Sequence, residues 1–263
     1  MRRTVPSLLL LLTALSPGFR AAPSSRTVRV LTYNVHHGEG MDGVFDLTRL
    51  AEVMKSAHPD LVALQEVDQS TARAHGVNQI AEYARLTEMQ ARFGKAMDYD
   101  GGGYGVAVLS RWPFLSAENT PLPSSLDREP RTALTVRVAA GDGGPIIQFT
   151  STHLDQGRDE QNRLMQVTSL NQLDPDDSPA ILAGDMNARL DTDVMKTLET
   201  HWTNAFAGQL LPTAPDGRPR VRGDYVLFHP ADTWRVLEST ILDERVASDH
   251  RPVLVVLEYE EGR

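Results

Sequence analysis

The feature that most restricts how this chain can fold is a series of short apolar runs that end in, or lead into, polar motifs. The motifs are Thr32-Tyr33-Asn34-Val35, Leu64-Gln65-Glu66-Val67, Ser151-Thr152-His153-Leu154-Asp155, Gly184-Asp185-Met186-Asn187, Gly223-Asp224-Tyr225 and Ser248-Asp249-His250. Short apolar runs bounded by turn signals read as buried strands. Acids, amides and imidazoles at strand ends are the groups that a hard-metal phosphoester site requires. Motifs spread over the whole chain can cooperate only in a fold that returns these strand ends to one place.

The run of elements supports such a fold. Thr27 to Tyr33, Leu61 to Leu64, Tyr104 to Ser110, Thr132 to Val138, Ile146 to Thr152, Ala180 to Ala183, Asp224 to Phe228 and Val253 to Leu257 read as strands. Asp46 reads as the N-cap of a helix with Leu47, Leu50, Ala51, Met54 and Ala57 on one face, stopped by His58-Pro59-Asp60. Helical spacing also predicts helices over Asn78 to Thr87, Arg158 to Leu173 and Val194 to Leu198. Gly101-Gly102-Gly103 and Pro121 to Pro130 read as loops, and Gly141-Asp142-Gly143-Gly144 as a turn. Strands and helices mix without strict alternation, and no interdomain linker follows residue 26. One α/β domain over residues 27–259 is expected, with two packed sheets and helices outside.

The N-terminus reads differently. Arg2 and Arg3 precede the apolar stretch Leu8 to Leu15, and Ser16-Pro17-Gly18 follows. A basic start, an apolar stretch too short to span a bilayer and small residues after it make an export signal. Residues 1–26 are therefore expected to be a signal peptide and short N-terminal arm, and the mature protein to be secreted or periplasmic without a transmembrane span. The chain has no cysteine, which excludes disulfides, thiolate catalysis and cysteine-ligated zinc. Its formal net charge of −9 weighs against a general grip on polyanions, so nucleic acid is a disfavoured partner. Oligomeric state is not written in these patterns.

The motifs carry the chemistry. Glu66 offers a carboxylate for Mg²⁺ or Mn²⁺, and Asn34 an amide that serves either the same end of the site or the core. Gly184 reads as a tight turn after Ala180 to Ala183, and Asp185 and Asn187 lie two apart, so extended backbone would send both to one side. There a carboxylate takes a proton from water and an amide orients the oxygen; the competing reading is an Asx turn. Asp249 is a candidate metal ligand, direct or through water. His250 countercharges a scissile phosphate, with Asp224 fixing its ring, and His153 is a second imidazole of that kind. Tyr104, after the glycines, and Arg128 and Arg131, flanking Glu129-Pro130 in a surface loop, are candidates for contact with substrate oxygens.

These motifs resemble those of the endonuclease/exonuclease/phosphatase superfamily of metal-dependent phosphoesterases, over about Val28 to Leu257. The resemblance implies a four-layer α/β/β/α sandwich, a metal held by Glu66 with Asn34 and Asp249, and catalytic roles for His153, Asp185, Asn187, Asp224 and His250. Gly184-Asp185-Met186-Asn187 resembles the Gly-Asp-Phe-Asn signature. Gly223-Asp224-Tyr225 departs from the usual Ile-Asp-Tyr, which bears on the packing before Asp224. Thr152-His153-Leu154 resembles the phosphatase, sphingomyelinase and deoxyribonuclease branches, and Arg128-Glu129-Pro130 a segment of pancreatic-type deoxyribonucleases. The start at Tyr33-Asn34-Val35-His36-His37-Gly38 looks most like small bacterial secreted members. The resulting expectation is metal-assisted hydrolysis of a small or lipid phosphoester. A secreted Mg²⁺-dependent endonuclease and a non-catalytic binding module on the same fold are the alternatives.

Overall fold

In the computed structural model, residues 27–141, 143–173, 178–206, 213 and 223–260 are described. The expected export signal and Asp142 of the expected turn lie outside them. The strands are β1 (Thr27–Asn34), β2 (Leu61–Gln69), β3 (Gln90–Tyr99), β4 (Gly102–Ser110), β5 (Phe114–Leu122), β6 (Arg131–Ala139), β7 (Ile146–His153), β8 (Ala180–Asp185), β9 (Thr203–Asn204), β10 (Asp224–His229), β11 (Trp234–Ile241) and β12 (Val253–Tyr259). The helices are α1 (Leu47–Ser56), α2 (Gln79–Thr87), α3 (Gln161–Leu170) and α4 (Asp193–Leu198), with a 3-10 turn at His36–Gly38. Among the described residues no helix is long and apolar enough to cross a membrane.

The strands form two mixed six-stranded sheets, ordered β11-β12-β1-β2-β4-β3 and β5-β6-β7-β8-β10-β9. β1 and β2 are parallel, as are β7 and β8. Strand periodicity then sorts the side chains into three cores. Val28, Val30, Leu61, Ala63, Ile147, Phe149, Ile181, Ala183, Val226 and Phe228 meet between the sheets. Leu31, Tyr33, Val62 and Leu64 face the other way and pack under α1 and α2. Ala180, Leu182, Tyr225 and Leu227 pack under α3 and α4. The result is the expected α/β/β/α layering.

Local signals explain the helix starts. Asp46 accepts a hydrogen bond from the Arg49 N–H at 2.9 Å, and Asn78 caps α2 through the Ala81 N–H at 3.2 Å. Leu47, Leu50, Ala51 and Met54 are buried as their spacing requires. Some boundaries differ from the expectation. Gly102 and Gly103 belong to β4 rather than to a loop, and α3 is shorter at both ends than Arg158 to Leu173.

Candidate active site

The same alternation that builds the inter-sheet core also builds the site. Val28-Val30-Thr32-Asn34 in β1, Ile147-Phe149-Ser151-His153 in β7 and Ile181-Ala183-Asp185 in β8 are inward rows that turn polar at their C-terminal ends. β10 runs antiparallel to β8, so its inward row Phe228-Val226-Asp224 turns polar at its start. In the registers, Asp185 lies opposite Asp224 on one side and His153 on the other. Beneath them is a buried polar layer. Thr32 Oγ1 donates to Gln65 Oε1 at 3.3 Å, and Ser151 Oγ donates to the Leu64 carbonyl at 3.3 Å across the sheets.

Glu66 reaches the site by a different route. Regular alternation would send it with Val62 and Leu64 toward the helices. A bulge between Leu64 and Val67 adds a residue to β2 against β4, and Glu66 takes φ of 57° there. Bulges re-aim side chains in this way. Glu66 thus lies inside β2, not at its end as the apolar run implied. Its Oε1 accepts from Asn34 Nδ2 at 3.0 Å, and Asn34 Oδ1 accepts from the His36 N–H at 3.0 Å. Asn34 therefore fastens Glu66, with its own oxygen engaged by the following turn.

Gly184 and Asn187 correct the reading of the Gly-Asp-Met-Asn motif. Gly184 sits within β8 rather than at a turn, and a Cβ there would lie 2.0 Å from the Thr152 carbonyl oxygen. Glycine is required by the close approach of β7. Asn187 has φ of 46°, so the backbone is not extended between Asp185 and Asn187. Instead Asp185 Oδ1 accepts the Asn187 N–H at 2.8 Å, which is an Asx turn. This turn leaves Asp185 Oδ2 aimed at two imidazoles, 3.5 Å from His153 Nε2 and 3.8 Å from His250 Nε2. Asn187 Nδ2 lies 3.0 Å from His153 Nε2 and also donates to the Leu154 carbonyl at 3.0 Å.

Ser248-Asp249-His250 bridges the two sheets. Ser248 Oγ donates to the Asn34 carbonyl at 2.7 Å, and His250 Nδ1 pairs with Asp224 Oδ2 at 2.8 Å. Asp249 Oδ1 lies 3.5 Å from Ser248 Oγ, and its charge acts on both Tyr33 and His250. Gly223, the departure before Asp224, leaves space rather than disrupting the strand. Its carbonyl accepts the Met186 N–H at 2.7 Å, and a Cβ would lie 2.7 Å from Asp185 Oδ1.

The three expected substrate contacts fare differently. Arg131 is not in a loop; it is the buried first residue of β6, and its guanidinium donates to His153 Nδ1 at 3.1 Å and pairs with Glu129 at 2.8 Å. Tyr104 is also buried, where both Glu66 and Arg131 act on its hydroxyl. Arg128 does not join the carboxylates and imidazoles: it pairs with Asp159 at 2.9 Å.

The electrostatics separate the titratable groups. Burial, with the Asp224 charge beside it, pushes Asp185 up to about 6. Burial also opposes charge on His250, but Asp224 above all, then Asp185 and Asp249, outweighs it and holds the ring well above its usual range as an imidazolium. His153 goes the other way: burial, then Arg131 and His250, hold it well below its usual range and neutral. One buried carboxylate therefore sits between a neutral imidazole and a charged one. The donor set is also that of a hard-cation site. Ligand atoms of Asp185, Asp224 and His250 lie within 4.8 Å of one another, and Glu66, held by Asn34, adds a carboxylate on the first sheet's side.

Comparison with known proteins settles the lineage. The model of the Endonuclease/Exonuclease/phosphatase family matches residues 31–250. The chain belongs to this family. The Escherichia coli protein YbhP is 30% identical over 247 residues, covering 86% of this chain and 94% of YbhP. A family structure from Beutenbergia cavernae superposes with a TM-score of 0.77 at 26% identity, over 89% of this chain and 72% of that one. A mannosyl-6-phosphatase from Bacteroides thetaiotaomicron shares the fold at a TM-score of 0.72 and 18% identity, over 88% of this chain and 99% of that one. Members of the endonuclease/exonuclease/phosphatase family are hydrolases acting on phosphoesters and are generally metal-dependent. The motifs that signalled the family in the sequence are the ones the two sheets gather at one end.

The structure also gives parts to motif residues to which no chemistry was assigned from sequence. Ser248 anchors the loop that carries Asp249 and His250 to the end of β1 at the Asn34 carbonyl. Gln65 and Ser151 form its buried polar floor. Buried serine and glutamine in apolar strands are a usable signal, since an interior polar group needs a partner.

Proposed function

We propose that this chain hydrolyses phosphoesters with a divalent cation, using water activated by Asp185. The observation that carries this reading is the placement of Asp185 Oδ2 between His153 and His250, 3.5 Å and 3.8 Å away. Asp185 takes the proton of the attacking water, and its elevated proton affinity suits a base working near neutral pH. His250, held by Asp224, offers Nε2 to a phosphoryl oxygen as a charged donor. His153, fixed by Arg131 and Asn187, bounds the opposite side as a neutral ring. Tyr104 lines the wall beside Glu66. Glu66, steadied by Asn34, and Asp249 are the residues that would hold Mg²⁺ or Mn²⁺. Such an ion, when bound, neutralises phosphate charge and steadies the leaving oxygen.

The substrate class in this proposal is a small or lipid phosphoester. Net charge of −9 supports that choice over nucleic acid. The proposal includes one catalytic domain over residues 27–259 and export directed by residues 1–26. Fractionation with N-terminal sequencing tests the export arm: absence from the extracytoplasmic fraction would refute export, and an intact Met1 there would refute cleavage. The activity is tested with purified protein and Mg²⁺ or Mn²⁺ on a panel of sugar, lipid and p-nitrophenyl phosphoesters beside a plasmid-nicking assay. Turnover of a small or lipid ester without nicking is expected. Robust nicking at physiological salt would identify a nuclease, and no turnover of any ester with no metal binding would identify a binding module.

A further inference from the structure

Two buried glutamines brace the site from behind, one in each helix layer. Gln79 Oε1 accepts the Asp68 N–H at 2.9 Å, and its Nε2 donates to the His37 carbonyl at 2.6 Å. Gln166 Oε1 accepts the Asp155 N–H at 2.9 Å, and its Nε2 donates to the Pro123 carbonyl at 3.1 Å. Both side chains are fully buried. Each glutamine lies 11 residues after its aspartate. Each aspartate lies two residues after a site residue, Glu66 in one case and His153 in the other. The two halves of the chain therefore carry the same spacing and the same bridge.

A primary amide has a donor end and an acceptor end, so one glutamine can fix the separation of two backbone segments. The segments bridged are informative. Gln79 ties the β2 bulge that presents Glu66 to the turn that follows Asn34. His36, His37 and Glu66 hold φ of 44°, 44° and 57°, conformations that persist in such residues only when their surroundings impose them. The Asn34–Glu66 hydrogen bond spans the two segments that Gln79 joins. Gln166 ties the end of β7, which presents His153, to the loop that leads into β6. The first residue of β6 is Arg131, the partner of His153 Nδ1. None of these four bonds involves a site side chain.

We propose that Gln79 and Gln166 are matched positioning residues with separate consequences. Gln79 sets the affinity of the Asn34–Glu66 end for divalent metal, and Gln166 sets turnover through the Arg131–His153 pair. The inference rests on the metal-assisted hydrolysis proposed above. Residues that orient a metal ligand typically change affinity by about 10–100-fold when removed. The test measures Mn²⁺ binding by calorimetry, turnover of bis-p-nitrophenyl phosphate and melting temperature for wild type, Gln79→Ala, Gln79→Glu and Gln166→Ala. Gln79→Ala is expected to raise the Mn²⁺ Kd about 10–100-fold. Gln166→Ala is expected to keep the wild-type Mn²⁺ Kd while kcat at saturating Mn²⁺ falls about tenfold or more. Gln79→Glu keeps the acceptor for Asp68 but sets a second oxygen against the His37 carbonyl, and it too is expected to weaken Mn²⁺ binding. If Gln79→Ala does not fold, Gln79→Glu carries the comparison. Folded Gln79 variants that bind Mn²⁺ like wild type would overturn the inference. So would an equal shift of the Mn²⁺ Kd in the Gln79 and Gln166 variants. A wild-type chain that binds no Mn²⁺ would instead overturn the proposed function, and this inference with it.

Discussion

Replacing Asp185 with asparagine should remove activity and stabilise the metal-free protein. The carboxyl of Asp185 is buried between Asp224, His153 and His250, and its pKa rises from 3.8 to about 6 on folding. A group whose folded pKa lies above its unfolded one favours the native state when protonated. That advantage is complete below about pH 4 and lost as pH rises through about 6. At pH 8 the ionised form therefore costs the native state about 3 kcal/mol, taking about 1.4 kcal/mol per unit. Asparagine escapes this cost and keeps an oxygen for the Asn187 N–H, now held at 2.8 Å. The attraction to charged His250 is already contained in that pKa, and relaxation of the buried site on losing the charge leaves a net gain of about 1–2 kcal/mol. For a chain of this size that is a rise of about 2–8 °C in Tm. The assay is thermal denaturation in EDTA at pH 4 and pH 8, with phosphoester turnover measured in parallel. Asp185→Asn should melt higher than wild type at pH 8, match it near pH 4, and lose about 10²–10⁴ in kcat. A variant that melts no higher than wild type at pH 8 would refute the electrostatic reasoning. Wild-type turnover in it would remove Asp185 from the role of base.

Two glycine substitutions separate folding from function. Gly184→Ala would set a Cβ 2.0 Å from the Thr152 carbonyl oxygen, so β7 and β8 must part. A loss of about 3 kcal/mol in urea denaturation is expected, and an unchanged midpoint would contradict the close-approach explanation. Gly223→Ala would set a Cβ 2.7 Å from Asp185 Oδ1, a side-chain atom rather than backbone. Its stability should change by less than about 1 kcal/mol while kcat falls about 10–100-fold, since small misplacements of a reacting group are costly. Equal kcat in Gly223→Ala and wild type would show that Asp185 has room to move without consequence.

How much of this was legible in the sequence follows from where each residue lies. The strands read correctly, such as β1, β7 and β8, are interior strands covered on both faces, so apolar residues dominate them until the site is reached. The strands that went unread, β3, β5, β9 and β11, are the four sheet edges. β5 carries Pro121 and is exposed along most of its length, and β3 alternates weakly, so neither has the apolar signature of an interior strand. Asp185, Asp224, His153 and Asn34 were legible because period-two alternation leads from core to site. Glu66 was legible as a residue but not as a geometry, because a bulge leaves no mark in the order of side-chain types. Arg131 read as a surface loop residue because its burial depends on His153 and Glu129, neither of them near-certain partners from sequence. Gln79 and Gln166 were invisible for a similar reason: their partners are backbone groups of distant segments.

The most direct test of the account is turnover of bis-p-nitrophenyl phosphate by EDTA-stripped wild type and Glu66→Gln as Mn²⁺ is added back. The stripped wild type should be inactive and recover with Mn²⁺, and Glu66→Gln should need about 10-fold or more Mn²⁺ for half-maximal rate. Full activity in EDTA, or the same Mn²⁺ requirement in both chains, would contradict a metal held at Glu66.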